Sequence, residues 1–388
     1  MRYCIRIPRI LLPESGYEKW SVIACDQFTS DPAYWERVER QVGGAPSTLR
    51  MILPEIYLGE DDEARIEEIH ENMYEALESG KISKLNRGCV LCERTTKSGV
   101  RRGIVAAIDL EAYTTGKGEV SPIRSSEEVV PSRLPARVAV RKGAPIEFPH
   151  AMIFYKDKKN KIVRMLLNED LEELYDFDLM EGGGHLTGYF IPEYMAEEAV
   201  RMMHGKDDPS FAVADGNHSV AAAKAYWEEL KAGLSEAETR NHPARFTLVE
   251  LVNLYDEAVE FHPIHRLLKD VDAEAFCSYF MKSVKCRRAG NVLYPALPAD
   301  ASAVEKTDAL VEAFLKANGG KIDYIHGENN LKAFAAQEDC VGIVLKPIEK
   351  DGFFERLKGG GNFPKKTFSV GEDTEKRYYT EGREISYD

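Results

Sequence analysis

The apolar positions of this chain switch between two spacings, and the switch is sharpest over residues 211–231. Phe211-Ala212-Val213-Ala214 is a short apolar run bounded by Pro209, which predicts a buried strand. Val220, Ala223, Trp227 and Leu230 then recur at helical spacing and predict a helix ending before Gly233. Between them stands Asp215-Gly216-Asn217-His218-Ser219, a turn that enters the helix. Other apolar runs predict strands at 21–25, 51–53, 150–155, 162–166 and 247–254, and a hairpin over 88–105 turning at Lys97-Ser98-Gly99. Helices are expected from Asp31-Pro32, over 60–77 and over 192–204. Beyond Asp272, helices at 273–283 and 303–317 alternate with strands near 284–287, 322–325 and 341–346. The expected fold class is α+β, a mixed α/β chain in four parts. These are a mixed region over 1–150, a central region over 151–271 with the turn, a small split β-α-β subdomain over 272–350, and a basic loop and tail over 351–388.

Composition narrows the function classes. The net charge of −14 argues against a nucleic-acid partner, since phosphate backbones are held by clustered Lys and Arg. No apolar run approaches the ~20 residues of a membrane helix, and the first residues lack a signal-peptide core, so a cytoplasmic protein is expected. Seven scattered cysteines make no disulfide framework. Cys89-Val90-Leu91-Cys92 has metal or redox spacing, but no second pair completes a zinc site, and its apolar setting predicts two reduced thiols in a strand. Neither His185 nor His218 has a second ligand at H-x-x-x-H spacing, so no resident metal is expected.

The turn at 215–219 admits two readings. A helix start aims backbone N–H groups and the positive end of the helix dipole at one point, a seat for phosphate or carboxylate. The same residues also describe an Asp-Gly turn with an Asn or Ser cap. Glu181-Gly182-Gly183-Gly184 would permit close backbone approach to a ligand, yet its order is not that of a dinucleotide fingerprint. Lys358 to Thr367 imitates a P-loop and fails, because Lys365 stands where glycine is required.

Six segments in order carry a resemblance. They are Val213 to Ser219 with its Ala-rich helix, Trp20 to Thr29, Pro122-Ile123-Arg124, Leu251 to Leu254, Pro263-Ile264-His265-Arg266, and Phe363 to Phe368. Over nearly its whole length the chain resembles the bacterial domain-of-unknown-function 1015 family. Much of that family carries Asp-Gly-His-His-Arg at the turn, which is similar to the phosphate-gripping turn of the ParB/sulfiredoxin-like superfamily, with its free-serine kinases. The resemblance implies a ParB/sulfiredoxin-like strand-turn-helix core and a nucleotide, ATP or ADP, with Mg²⁺. It also implies an anionic or phosphorylated small-molecule ligand. Here Asn217 replaces the first His, and Ser219 replaces the Arg that would grip phosphate in bidentate fashion.

Phosphoryl transfer needs a phosphate cradle, cations and a group to handle the proton. Asp215, Gly216, Asn217 and Ser219 are the candidate cradle, and His218 either touches phosphate, acts as acid/base, or satisfies the helix start. Arg124 is the candidate for the missing cation, with a loop ion pair to Glu127 as its other reading. His265 and Arg266 suit a pocket rim or a structural strand end. Lys365 and Lys366 suit a solvated loop or a phosphate contact. Asp26 and Glu55, at expected strand ends, are candidates for Mg²⁺ or for the base. Two functions fit: a nucleotide-dependent kinase for a small hydroxylated metabolite such as free serine, or a non-catalytic nucleotide- or phospho-metabolite-binding regulator.

Overall fold

In the computed structural model, residues 3–23, 28, 31–57, 62–148, 151–205 and 208–387 are described. Asp26 lies outside them, and so does the side chain of Glu55, whose backbone opens the short 3-10 turn Glu55–Tyr57. The chain forms two compact units. The first comprises residues 1–259 and 372–388, the second residues 260–371.

The first unit is built on a sheet of eleven strands among the described residues. Its centre is the hairpin Ile82–Thr96 and Gly99–Asp109, then Phe246–Asn253, Met152–Tyr155, Phe211–Asp215 and Ile123–Ser125. Period-2 alternation sends neighbouring residues to opposite faces, and both faces are covered. Leu91, Ile104 and Ala106 join one core; Val90, Cys92 and Val105 join the other. The same parity separates Cys89 from Cys92. Three residues apart on a strand, they enter different cores, and burial pushes the Cys89 thiol up to about 12. The CxxC spacing is therefore strand packing.

The glycines at 182–188 also serve the sheet. A Cβ on Gly184 would stand 2.0 Å from the Thr95 carbonyl oxygen, and one on Gly188 would stand 2.1 Å from the Tyr175 ring. They let Gly184–Pro192 lie against its neighbours Ile82–Thr96 and Glu173–Leu179. Neither Gly184–Pro192 nor Glu173–Leu179 is in the sequence expectation, although Tyr175, Phe177 and Leu179 alternate with Asp176 and Asp178.

Two elements differ from expectation. Residues 161–167 form a helix, Lys161–Leu167, where a strand is expected; Asp157 caps it by accepting from the Ile162 N–H at 2.9 Å, and Ile162, Val163 and Leu166 are its buried face. Met51-Ile52-Leu53 is a bend after the 3-10 turn Thr48–Arg50 and has no strand partner among the described residues.

The unit boundaries also fall elsewhere than expected. Strands from 82–109, 152–155, 211–215 and 246–253 share one sheet, so no cut falls near 150. Phe261–Lys269 is the strand on which the second unit is assembled, pairing with Lys321–His326, Val341–Ile343 and Phe368–Val370. The second unit therefore begins at 260 and runs through 371. Its core packs Phe276, Phe280, Val311 and Phe314 from the helices Ala273–Ser283 and Ala301–Asn318 on Leu268 and Val341. No described helix is long and apolar enough to cross a membrane.

Candidate functional site

The strand–turn–helix is present as the sequence predicts, Phe211–Asp215 leading through Gly216 into Asn217–Lys231. The strand lies between Met152–Tyr155, antiparallel, and Ile123–Ser125, parallel. Parallel pairing brings the C-terminal ends of two strands together, the place where open α/β sheets bind ligands. Val220, Ala223 and Trp227 are at most 1% exposed and fix the helix to the sheet. Trp227 Nε1 also donates to Glu111 at 2.6 Å.

Gly216 makes the turn. Its φ of 79° is left-handed, and a Cβ there would lie 2.9 Å from Ala151 Cα, so shape and conformation both call for glycine. Its carbonyl accepts from the Ser219 and Val220 N–H groups, starting the helix. Asp215 Oδ1 accepts from the Gly216 N–H at 3.0 Å.

Asn217 and His218 turn their side chains to the neighbouring segment. Asn217 Oδ1 accepts from Ser125 Oγ at 2.7 Å and from the Ser126 N–H at 3.1 Å, and its Nδ2 donates to Ser126 Oγ at 3.2 Å. His218 Nε2 accepts from the Val130 N–H at 3.1 Å. Together they strap residues 125–130 to the start of the helix. Arg124 is fully buried in the same segment, its Nη1 donating to the carbonyls of Gly116 at 2.6 Å and Glu119 at 2.8 Å. Burial holds its guanidinium below the usual arginine range.

The cation beside the turn comes from the C-terminal segment. Lys376 Nζ stands 3.6 Å from Asp215 Oδ2, with the lysine side chain 6% exposed. Buried Arg94 places it by donating through Nη1 to the Lys376 carbonyl at 2.5 Å and through Nη2 to the Thr374 carbonyl at 2.6 Å. Sequence reasoning missed Lys376, which lies in a tail expected to be a basic loop. The signal was the run Lys376-Arg377-Tyr378-Tyr379, charge beside aromatics, which suits a segment packed on a sheet.

Ser219 lines a cavity of about 160 Å³. Ala151, Ala222, Ala223 and Phe148 supply apolar wall, and Arg141 and Glu147 supply polar wall. The volume is close to that of cavities that admit a benzene-sized molecule. A more open hollow of about 490 Å³ lies along Gly182–His185, with Lys97, Asp178, His185 and Glu375 in its lining. Among the described residues no group of three His, Cys, Asp or Glu side chains could hold a metal ion.

The remaining candidates lie in the second unit. His265 is buried, with Nδ1 accepting from the Leu345 N–H at 3.2 Å, and burial pushes its pKa down to about 4. Arg266 is fully buried, forked onto Asp308 at 2.7 and 2.9 Å and bonded to the carbonyls of Ile264 and Lys366, both at 2.8 Å. Lys365 is exposed. Asp215, Gly216, Asn217, His218, Ser219 and Arg124 thus gather in the first unit, while His265, Arg266 and Lys366 are tied within the second.

A family model described as "Protein of unknown function (DUF1015)" matches residues 9–344. No curated protein matches the chain. Among solved structures, a conserved hypothetical protein from Pyrococcus furiosus aligns at 12% identity and TM-score 0.37, covering 71% of this chain and 94% of its own. A free serine kinase variant in complex with AMP aligns at 11% identity and TM-score 0.40, covering 71% and 91%. Another variant of a free serine kinase, in complex with ADP, aligns at 11% and 0.39 with the same coverage. Likenesses of this size say nothing of what this chain binds or does.

Proposed function

We propose that this chain, which belongs to the DUF1015 family of proteins of unknown function, binds a phosphorylated small molecule at the Gly216 turn. The observation that carries this reading is the pairing of a left-handed glycine turn at a helix start with a nearly buried lysine, Lys376, 3.6 Å from Asp215. Helix-start N–H groups and an ammonium together favour a phosphate oxygen. Lys376 takes over the role of the cation that Ser219 does not supply.

The finer reading is phosphoryl transfer from ATP or ADP to a small hydroxylated metabolite, free serine being the precedent by family resemblance. The cavity beside Ser219 would take the acceptor, since its volume suits a compact molecule and excludes a nucleoside. Mg²⁺ held with a nucleotide takes one or two carboxylates from a protein and the rest of its ligands from phosphate and water. Asp215 fits that demand, and it is the acidic group at the turn. An ion there would neutralise phosphate charge.

A second reading, a non-catalytic nucleotide sensor, draws on the strap. Asn217 and His218 bind residues 125–130 to the helix start, so occupancy of the turn would be felt by that segment.

Melting curves with ATP, ADP, CTP, GTP and pyrophosphate, each with and without Mg²⁺, test the site. A ligand at ~100 times its Kd stabilises the fold by about 2.7 kcal/mol. The expected result is a shift with at least one nucleotide that Lys376→Met removes. If no phosphate compound shifts the wild type, the proposal fails. Nucleotide consumption dependent on added serine would then separate the kinase from the sensor.

A further inference from the structure

Arg94 and Arg101 stand directly opposite each other on the antiparallel strands Ile82–Thr96 and Gly99–Asp109. They are 3% and 4% exposed. Like charges directly opposite in a sheet repel, and in the interior that repulsion is little screened. A third guanidinium joins them from the C-terminal segment, Arg377, at 5% exposed. The three arginines, with Glu250, Leu179 and Tyr378, line a small space of about 10 Å³, room for one water-sized sphere.

Among the described residues, the carboxylates in direct contact with this cluster fall one short of the arginines. Arg377 Nη1 donates to Glu250 Oε2 at 2.8 Å, and its Nη2 donates to the buried Glu381. Arg101 Nε stands 3.7 Å from Glu250 Oε1, an ion pair too long for a hydrogen bond. Arg94 is bonded only to backbone carbonyls among the contacts described for it, those of Gly183, Thr374, Glu375 and Lys376. Asp256, the next acid along, turns its oxygens to the N–H groups of Ala258 and Arg102, and its charge also acts on Arg101. Among the described groups in direct contact, three positive charges therefore meet two negative ones. Two N–H groups, Arg101 Nε and Arg377 Nε, are buried with no hydrogen-bond acceptor among the described residues, in residues that both line the cavity. A buried donor without an acceptor costs about 1–3 kcal/mol, and an uncompensated buried charge costs more.

The geometry points to a buried binding site for one small monovalent anion, of which chloride is the fitting member, held by Arg101 and Arg377 between the facing strands. A halide accepts from several N–H donors at once, balances the surplus charge and separates Arg94 from Arg101. Water would satisfy the donors and leave the charge. Phosphate and sulfate exceed the space. Because Arg94 and Arg101 also grip the carbonyls of residues 374–376, the occupant sits beneath the segment that carries Lys376.

Crystals of the full chain soaked in sodium bromide give the deciding measurement, read at the bromine absorption edge. The expected result is an anomalous peak within hydrogen-bond reach of Arg101 Nε and Arg377 Nε. Density there without anomalous signal means water and overturns the assignment, and so does an empty space. In solution, Arg101→Met should lose the higher melting midpoint that wild type shows in sodium chloride over sodium gluconate at equal ionic strength. Should that variant fail to fold, the bromide measurement on wild type decides alone.

Discussion

Two stretches that carry the family resemblance, Asp215 to Ser219 and Pro263 to Arg266, look alike as sequence and differ as structure. Each follows or forms part of a strand and offers a histidine beside a polar or cationic residue. In the second unit both such groups are sealed: Arg266 is forked onto Asp308 and two carbonyls, and His265 is 3% exposed. In the first unit residues 215–219 are half-buried, the lysine beside them makes an ion pair with Asp215, and a cavity opens at Ser219. A sealed arginine forked onto a carboxylate organises its own unit. A half-covered turn with a cation beside it is what a ligand site at the turn would need.

That contrast can be broken most forcefully at Arg266. Arg266→Leu leaves Asp308 and two carbonyls facing an apolar side chain, which should cost about 3–5 kcal/mol in denaturant unfolding. A loss below ~1 kcal/mol would mean that Arg266 is not the keystone of its unit, and would return it to the ligand-binding candidates.

His265 gives the next effect. Its folded pKa lies near 4, below the ordinary 6.5, because burial disfavours the charged ring. The unfolded chain therefore binds more protons between these values. Stability from this group is full above pH 6.5 and falls as pH drops toward 4, by ~3 kcal/mol in all. His265→Gln should flatten that part of the pH–stability profile. An unchanged slope in the variant would show that the imidazole is more hydrated than its burial implies.

The smallest expected change sharpens the comparison from the other side. Asn217→Ala removes three hydrogen bonds to Ser125 and Ser126 in a half-open setting, where water can replace them, so a loss of ~1–2 kcal/mol is expected. Amide exchange over 125–130 should rise while the core of the sheet stays protected. Uniform loss of protection throughout the unit would make the strap part of the core.

Much of this fold was legible because local signals agreed with tertiary demands. Asp31 caps Pro32–Val42 as its position suggests, accepting from the Tyr34 N–H, and the hairpin turns where Lys97-Ser98-Gly99 predicts. The helix Lys161–Leu167 read as a strand because Ile162, Val163, Leu166 and Leu167 form an apolar run too short to show its period. The glycine turn at 216 was visible as a candidate site. Its surroundings were not, since Lys376 meets Asp215 only through folding of a segment distant in sequence, and the cavity wall is collected from several helices and strands. Arg124 read as an available cation because sequence records its charge and not the carbonyls of Gly116 and Glu119 that occupy it.

The chain order of the first unit has a consequence for how the protein is made. Residues 260–371 interrupt that unit, and 372–388 return to it bearing Arg377, Glu381 and Arg383. A ribosome delivers Glu147 and Glu250 long before it delivers Arg383 and Arg377, which bond to them. Until then Glu147 has only Arg141 as its arginine partner, and Glu250 has only Arg101. The first unit to start is thus the last to finish, and its interior stays short of three buried side chains, Arg377, Glu381 and Arg383, while the second unit is built.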